Sequence, residues 1–151
     1  MTSAVKRRWR TGKRKVIFRK LKREGGKPKR ESGTATMEGI EHKDLKERTK
    51  HFAVAGVHFF QGSAKDAEAQ VCGKQFLRSV TSVGANTRSS FRGRSVKEFK
   101  AKLGIVIEEA DECGFWLEFM IATGIAQSVH VEPLLKESNE LVPIFTALVK
   151  R

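Results

Sequence analysis

Cysteine is scarce in this chain of 151 residues, which contains only Cys72 and Cys113. Two cysteines cannot build the disulfide framework of a small secreted domain, so we expect two buried thiols in a reducing compartment. The chain also lacks the run of about 18 apolar residues that a membrane-spanning helix needs. Its N-terminus lacks the apolar segment of a secretory signal. These absences predict a cytoplasmic protein with no membrane partner.

Catalytic motifs are missing as well. The sequence has no phosphate-binding loop, no nucleophile-elbow pattern and no zinc-binding histidine pair with its glutamate. His51 and His58 have no cysteine or third histidine nearby to complete a metal site. Four acids from Glu108 to Glu112 are an alternative magnesium site, but the neutral charge of this part favours their pairing with basic side chains. We therefore expect no enzyme activity, no metal and no cofactor.

Acidic residues are almost absent from the first thirty positions, where Glu24 stands against fourteen lysines and arginines. Fourteen minus one gives +13, which equals the formal charge of the whole chain, so residues 31–151 sum to zero. Repulsion between like charges is expected to keep the basic segment unfolded in isolation. Small and polar residues from position 31 onward are typical of a linker. The pattern divides the chain into a basic N-terminal arm, residues 1–36, and a folded domain, residues 37–151.

The arm predicts an anionic partner. Lysine and arginine bind phosphate with release of counterions, so such concentrated charge favours nucleic acid, and RNA more than DNA. Trp9 and Phe18 are available to stack on bases. A solvated extension and a contact with anionic lipid are the alternatives. The expected nucleic-acid-binding residues are Lys6, Arg7, Arg8, Arg10, Lys13, Arg14, Lys15, Arg19, Lys20, Lys22 and Arg23.

Apolar periodicity predicts four helices after the arm. The first, second and fourth helices span roughly residues 42–61, 66–91 and 132–150. The third helix begins at a capping box formed by Ser95 and Glu98. Short loops make neighbouring helices antiparallel. The predicted fold is all-α, an antiparallel up-down-up-down four-helix bundle with a flexible basic N-terminal extension. Pro143 conflicts with the last helix and predicts a kink or break at 139–143. The apolar seam of the third helix has steps of three and four residues: Val96, Phe99, Leu103, Val106, Ala110, Cys113, Leu117 and Met120.

Two features concern contacts between helices or subunits. The expected register places Arg78 level with Glu109, with Glu112 one turn further, and favours a structural ion pair over a polar site for RNA. The side chains of Ile105, Trp116 and Phe119 fall outside the main seam of the third helix. Such extra apolar width indicates burial on a second side, either by the monomer's own core or by another subunit, and it favours oligomerisation.

Four stretches carry a resemblance to a known family. Residues 76–88 read Phe-Leu-Arg-Ser-Val-Thr-Ser-Val-Gly-Ala-Asn-Thr-Arg, and residues 95–103, 109–118 and 140–150 continue the pattern. This sequence resembles the 23S rRNA intervening sequence protein family, also called the four helix bundle protein family. Ser89, where the family has an acid, and Pro143 depart from the pattern, and the arm lies outside it.

The resemblance implies a bacterial helical bundle that assembles into homo-oligomeric rings such as pentamers. A related bundle is the accessory protein of diversity-generating retroelements, which binds a reverse transcriptase and nucleic acid. We therefore expect a non-catalytic, oligomeric nucleic-acid-binding protein. The alternative is a protein-interaction scaffold or accessory subunit, for example of a reverse transcriptase, with the arm as a solvated extension.

Overall fold

The computed structural model describes residues 37–151, and their side chains from Asp44 onward. The arm therefore lies outside the described residues. Every regular element in the described part is helical, and the helices pack as a bundle, which confirms the predicted all-α four-helix fold. The helices are α1 (Met37–Gly62), α2 (Ala67–Ser90), α3 (Val96–Ala122) and α4 (Ser128–Lys150).

Side-chain hydrogen bonds cap the first turns of α2 and α3. The Asp66 side chain accepts a hydrogen bond from the backbone N–H of Ala69 at 2.9 Å and caps the start of α2. Ser95 Oγ accepts from the backbone N–H of Glu98 at 3.1 Å, as the capping box predicts. Glu98 accepts from the N–H of Arg94, rather than from that of Ser95 as expected, so its carboxylate caps the turn one residue earlier.

Contacts between α1 and α2 show an antiparallel pair held close by glycine. Gly84 of α2 packs on Thr49 of α1, while Gly73 of α2 packs on Phe60, so the order of contacts reverses between the two helices. A methyl group at Gly56 of α1 would lie 2.7 Å from Val80 Cγ1. Since Val80 is fully buried and has a stiff β-branched side chain, only glycine allows this approach.

The other helix pairs follow the same arrangement. At the loop between α2 and α3, the rings of Phe91 and Phe99 lie 5.7 Å apart, and further along the pair Arg78 meets Glu112. The Ser138 hydroxyl of α4 donates a hydrogen bond to the backbone carbonyl of Ala110 in α3. These contacts and the short loops place the start of α1, the end of α2, the start of α3 and the end of α4 at one end of the bundle.

The core contains most of the predicted α3 seam. Its buried members are Leu103, Val106, Ala110, Cys113, Leu117 and Met120, whereas Val96 is exposed and Phe99 is half-buried because they lie in the first turn, near the end of the bundle. Cys72 and Cys113 are free and buried, as expected. Burial raises the pKa of the Cys113 thiol, and the charges of Glu109 and Glu112 raise it further, so this thiol stays protonated.

Proline does not interrupt α4. The helix runs from Ser128 to Lys150 through both Pro133 and Pro143, so the predicted break at 139–143 is wrong. Pro143 removes the hydrogen bond to the carbonyl of Asn139, but Asn139 is exposed, and water can satisfy that carbonyl. Leu141 and Phe145 are buried on either side of the proline, and their packing stabilises the helix.

Candidate nucleic-acid interface

The attachment point of the arm defines one end of the bundle as the candidate interface. The arm ends where α1 begins, at Met37. The eleven arm residues that the sequence predicts to bind nucleic acid lie outside the described residues. The charge of the described surface at this end therefore shows whether the folded domain adds to the positive charge of the arm.

This end of the bundle is strongly basic. The segments 44–50, 88–102 and 150–151, which the fold gathers here, contain eleven basic and three acidic residues, and Glu137 and Glu140, which pair with Arg48, lie here as well. Eleven minus five gives this end a net charge of +6. The rest of the described side chains carry four basic and eight acidic residues, or −4. The basic residues are Lys46, Arg48, Lys50, Arg88, Arg92, Arg94, Lys97, Lys100, Lys102, Lys150 and Arg151.

Sequence reasoning missed this separation of charge because it treated residues 31–151 as one neutral body. The basic residues come from four separate stretches, and only the antiparallel order of the helices brings them together. The separation of charge becomes visible when the charged residues near each end of the predicted helices are counted separately. We call this surface the basic end.

A groove between α1 and α2 opens at the basic end, with a volume of about 430 Å³. Small side chains on both helices leave the groove open, and long polar side chains extend along it. The residues that line the groove are Lys46, Glu47, Lys50 and Ala53 of α1, Thr81, Gly84, Ala85 and Arg88 of α2, and Arg92 of the following turn.

The cations of the groove differ in their partners. Lys46 Nζ lies over the Phe91 ring, 5.1 Å from its centroid, and Lys50 Nζ is 3.5 Å from Glu47. Arg88 and Arg92 are exposed and form no ion pair with any residue that the structure describes. The acids of α3 were expected to pair with basic side chains, but Arg88 lies along the groove and is not one of their partners. Its guanidinium is therefore available to an anion.

Arg48 differs from the other cations of the basic end because its ion pairs with described residues join two helices. Its Nε lies 2.6 Å from Glu137 Oε1, and its Nη2 lies 2.6 Å from Glu140 Oε2. The hydrogen bond to Glu137 is the main cause of a raised pKa for the guanidinium. This pair connects α1 to α4, so we assign Arg48 to the stability of the bundle and not to ligand binding.

The predicted ion pair of α2 and α3 forms with Glu112 and not with Glu109. Arg78 Nη2 donates to both carboxylate oxygens of Glu112, at 2.8 and 2.9 Å. The difference arises because an arginine on a helix leans toward the helix N-terminus, which in this antiparallel pair lies beside the next turn of α3. Glu109 instead keeps one buried carboxylate oxygen without a hydrogen-bond partner among the described residues.

Glu112 accepts hydrogen bonds from two residues, Arg78 and Trp116. Burial raises the pKa of its carboxyl, but these hydrogen bonds, with contributions from the nearby Ser79 hydroxyl and the Arg78 charge, outweigh burial and hold the pKa below its usual range. Trp116 Nε1 donates to Glu112 Oε1 at 3.0 Å. Because the folded pKa is depressed, this carboxylate stabilises the fold above its unfolded pKa, and the contribution is lost as pH falls through the folded pKa.

We expect Glu112→Gln to reduce the loss of stability on acidification. The wild type should lose about 0.2–1 kcal/mol more than Glu112→Gln between pH values near 7 and near 2.5, a range that extends below the depressed pKa, and this size is typical of a largely exposed pair. Urea unfolding at the two pH values measures the difference. Glu108→Gln, at an exposed acid one turn away, is the control and should behave as the wild type. Equal behaviour of the two variants would contradict the assignment.

Part of the predicted oligomer interface forms an exposed aromatic patch near the end of α3. We define the aromatic patch as Phe115, Trp116 and Phe119. Their ring centroids lie 5.0–6.0 Å apart. Phe119 is 39% exposed, and Trp116 is half-buried against the core. Phe115, which the sequence analysis did not select, is the most exposed at 55%. Ile105 is 42% exposed and lies about three helical turns from Trp116, so the structure does not join it to the patch.

Two other kinds of site were considered within the described part of the chain. No cluster of three or more histidine, cysteine, aspartate or glutamate residues suited to a metal ion occurs among these residues. None of the described helices combines the length and the apolar character that crossing a membrane requires.

Comparison with known proteins places this bundle in a family. The 23S rRNA-intervening sequence protein family matches residues 41–147, which reach from α1 into α4. A similar crystal structure is that of a protein of unknown function from the S23 ribosomal protein family of Bacteroides thetaiotaomicron. It is 31% identical with a TM-score of 0.68, over 73% of this chain and 98% of that one. No curated protein matches the chain. The chain belongs to the 23S rRNA-intervening sequence protein family, as its signature residues predict.

Proposed function

We propose that this protein binds nucleic acid without catalysis, with RNA preferred over DNA, in the cytoplasm of a bacterium. The observation that carries the proposal is the position of the basic end. The arm carries a charge of +13 in its first thirty residues, and residues 31–43, with one basic and three acidic residues, connect it to the end of the bundle where the folded surface carries a further +6. Both cationic segments therefore attract a polyanion to the same end of the bundle.

The mechanism of binding is contact with phosphate. Each lysine or arginine that meets a phosphate releases condensed counterions, and this release supplies affinity without reading the base sequence. Trp9 and Phe18 of the arm add stacking on unpaired bases, which favours single-stranded segments of RNA. The protein is therefore expected to recognise the charge and accessibility of an RNA more than its sequence.

Assembly into a homo-oligomer, such as a pentameric ring, is part of the proposal. The aromatic patch exposes rings that a second subunit can cover, and Ile105 is a separate exposed apolar side chain on the same helix. A ring presents several arms at once. Linked arms raise the strength of a weak contact by roughly 10²–10⁴ when one RNA can reach them together.

The aromatic patch also favours a second function, that of a protein-interaction scaffold. It lies near the end of α3, about 28 Å along the helix from Val96 at the basic end, so a protein partner can occupy it independently of RNA. A partner such as a reverse transcriptase would then supply the chemistry, and the arm would be a solvated extension. If the protein acts as such a scaffold, residues 37–151 alone should still bind the protein partner, and Phe115→Ser should abolish that binding.

Removal of the arm tests the proposed function. Fluorescence anisotropy of a labelled, partly single-stranded RNA compares the full chain with residues 37–151 in about 50 mM salt. Loss of six or more phosphate contacts should weaken binding by at least about a hundredfold. Circular dichroism and light scattering must show that the shorter chain keeps its helices and its oligomeric state. Equal affinities, or no binding by the full chain, would overturn the proposal.

A further inference from the structure

We propose that the groove between α1 and α2 is a second nucleic-acid site, one that belongs to the folded bundle. In this site Lys46, Lys50, Arg88 and Arg92 hold the sugar-phosphate backbone of a single RNA strand. The inference rests on the proposed function, since it concerns the same ligand. It adds a site with defined residues within the described structure, whereas the predicted contacts all lie in the arm.

The charges in the groove favour an anion. Four cations line it against one acid, Glu47, which lies 3.5 Å from Lys50. Arg88 and Arg92 have no ion pair with a described residue, so phosphate binding breaks no existing pair at these positions. A guanidinium presents a planar set of donors that matches two phosphate oxygens at once. The groove thus offers two free guanidinium groups and two ammonium groups to one strand.

The spacing of the cations suits a chain of phosphates. Lys46 and Lys50 are four residues apart on α1, so they lie one turn apart, about 6 Å along the helix. This distance is comparable to that between successive phosphates of a nucleic acid strand. Arg88, in the last turn of α2, and Arg92, in the turn that follows, line the same groove. Several cations along one groove match a repeating anion better than an isolated one.

The floor of the groove offers little to a base. Ala53, Gly84 and Ala85 have no polar side-chain atoms, and the Thr81 hydroxyl already donates to the backbone within α2. A methyl group at Gly84 would lie 3.4 Å from Ala53 Cβ, so the two helices are close together beneath the groove. A shallow floor without free side-chain donors, between cationic sides, binds the backbone and does not read sequence.

The groove is also close to the arm. Lys46 lies nine residues after Met37 in α1, a rise of about 14 Å. A strand held by the arm can therefore continue onto the folded domain without a large detour. An acidic protein segment has no comparable reason to follow this route, although it shares the negative charge, and the experiment below includes it as a competitor.

The test uses the full chain and removes the two unpaired guanidinium groups. The groove variant is Arg88→Gln with Arg92→Gln, and the control variant is Lys65→Gln with Lys74→Gln. The control loses the same charge at exposed positions away from the basic end. Binding of fluorescein-labelled polyuridylate is measured over a range of salt concentrations. The slope of log K against log salt is negative, and each lost contact reduces its magnitude by about 0.7. The groove variant should therefore reduce the magnitude of the slope by about 1.4, and the control variant should leave it almost unchanged.

Each outcome decides between the claims. Suppose that the groove variant and the control both keep the slope of the unsubstituted chain, while Arg7→Gln with Arg8→Gln reduces its magnitude. The groove is then not an RNA site, and the proposed function stands. If the unsubstituted chain does not bind polyuridylate in about 50 mM salt, the proposed function itself fails. If polyglutamate displaces RNA as well as unlabelled polyuridylate does, at equal charge, the commitment to a nucleic acid backbone is overturned. Both arginines are exposed, so thermal unfolding should be unchanged.

Discussion

Raising the salt concentration from about 50 to about 200 mM should weaken RNA binding by the full chain roughly 10³- to 10⁵-fold. That range corresponds to six to ten phosphate contacts, each of which releases counterions whose gain in entropy falls as salt rises. The arm alone contains fourteen lysines and arginines within thirty residues, more than enough for this number. Few changes of solution conditions are expected to alter the behaviour of this protein so strongly.

Anisotropy titrations at four or five salt concentrations measure this dependence. Residues 37–151 should show a much smaller slope, which reflects only the basic end. A temperature series at constant salt is a useful control, because binding through apolar surface changes with temperature and depends little on ionic strength. A slope near zero, or a slope that is unaffected by removal of the arm, would contradict phosphate contact by the arm.

Phe76→Ala should reduce the free energy of unfolding by about 3–5 kcal/mol. The Phe76 side chain is 0% exposed, and its ring meets that of Phe59 edge to face, with centroids 5.7 Å apart. Truncation removes the transfer energy of the ring and leaves a cavity between α1 and α2 that the rigid helices cannot close. The aromatic pair is lost as well, which adds to the cost.

Chemical denaturation followed by circular dichroism measures the effect. Val71→Ala on the same helix is the control, because its side chain is 61% exposed and its truncation should change stability by no more than about 0.5 kcal/mol. Both measurements need matched protein concentrations, since an oligomer is stabilised by mass action. A cost below about 1 kcal/mol for Phe76→Ala would mean that α2 does not pack as the structure describes.

The helices were predictable where their signals are local. The α3 seam repeats over several turns, and the Ser95 cap marks its beginning. The starts of α1 and α4 were predicted too late, at about 42 and 132, because neither first turn carries a strong apolar pattern. Gln127, the N-cap of α4, makes no side-chain capping bond, so no capping signal marks the start of that helix.

The candidate interface was only half predictable. A run of like charges in the arm is visible in the sequence, whereas the groove depends on which residues of α1 and α2 face each other. The Arg78 pair shows the same limit, because the simple register placed Glu109 level with it but the direction of a long side chain selected Glu112. Phe115 was missed because the seam spacing does not show which apolar side chains outside it remain exposed, and only the packed helices show that.

Opposite charges at the two ends give the folded domain a permanent electric dipole moment along its long axis. A dipole near a polyanion experiences a torque, so the positive pole turns toward the polyanion before contact. In the proposed function, the groove would then meet the RNA first. The negative pole, with the aromatic patch, would face the solvent, where a protein partner could dock while RNA is bound.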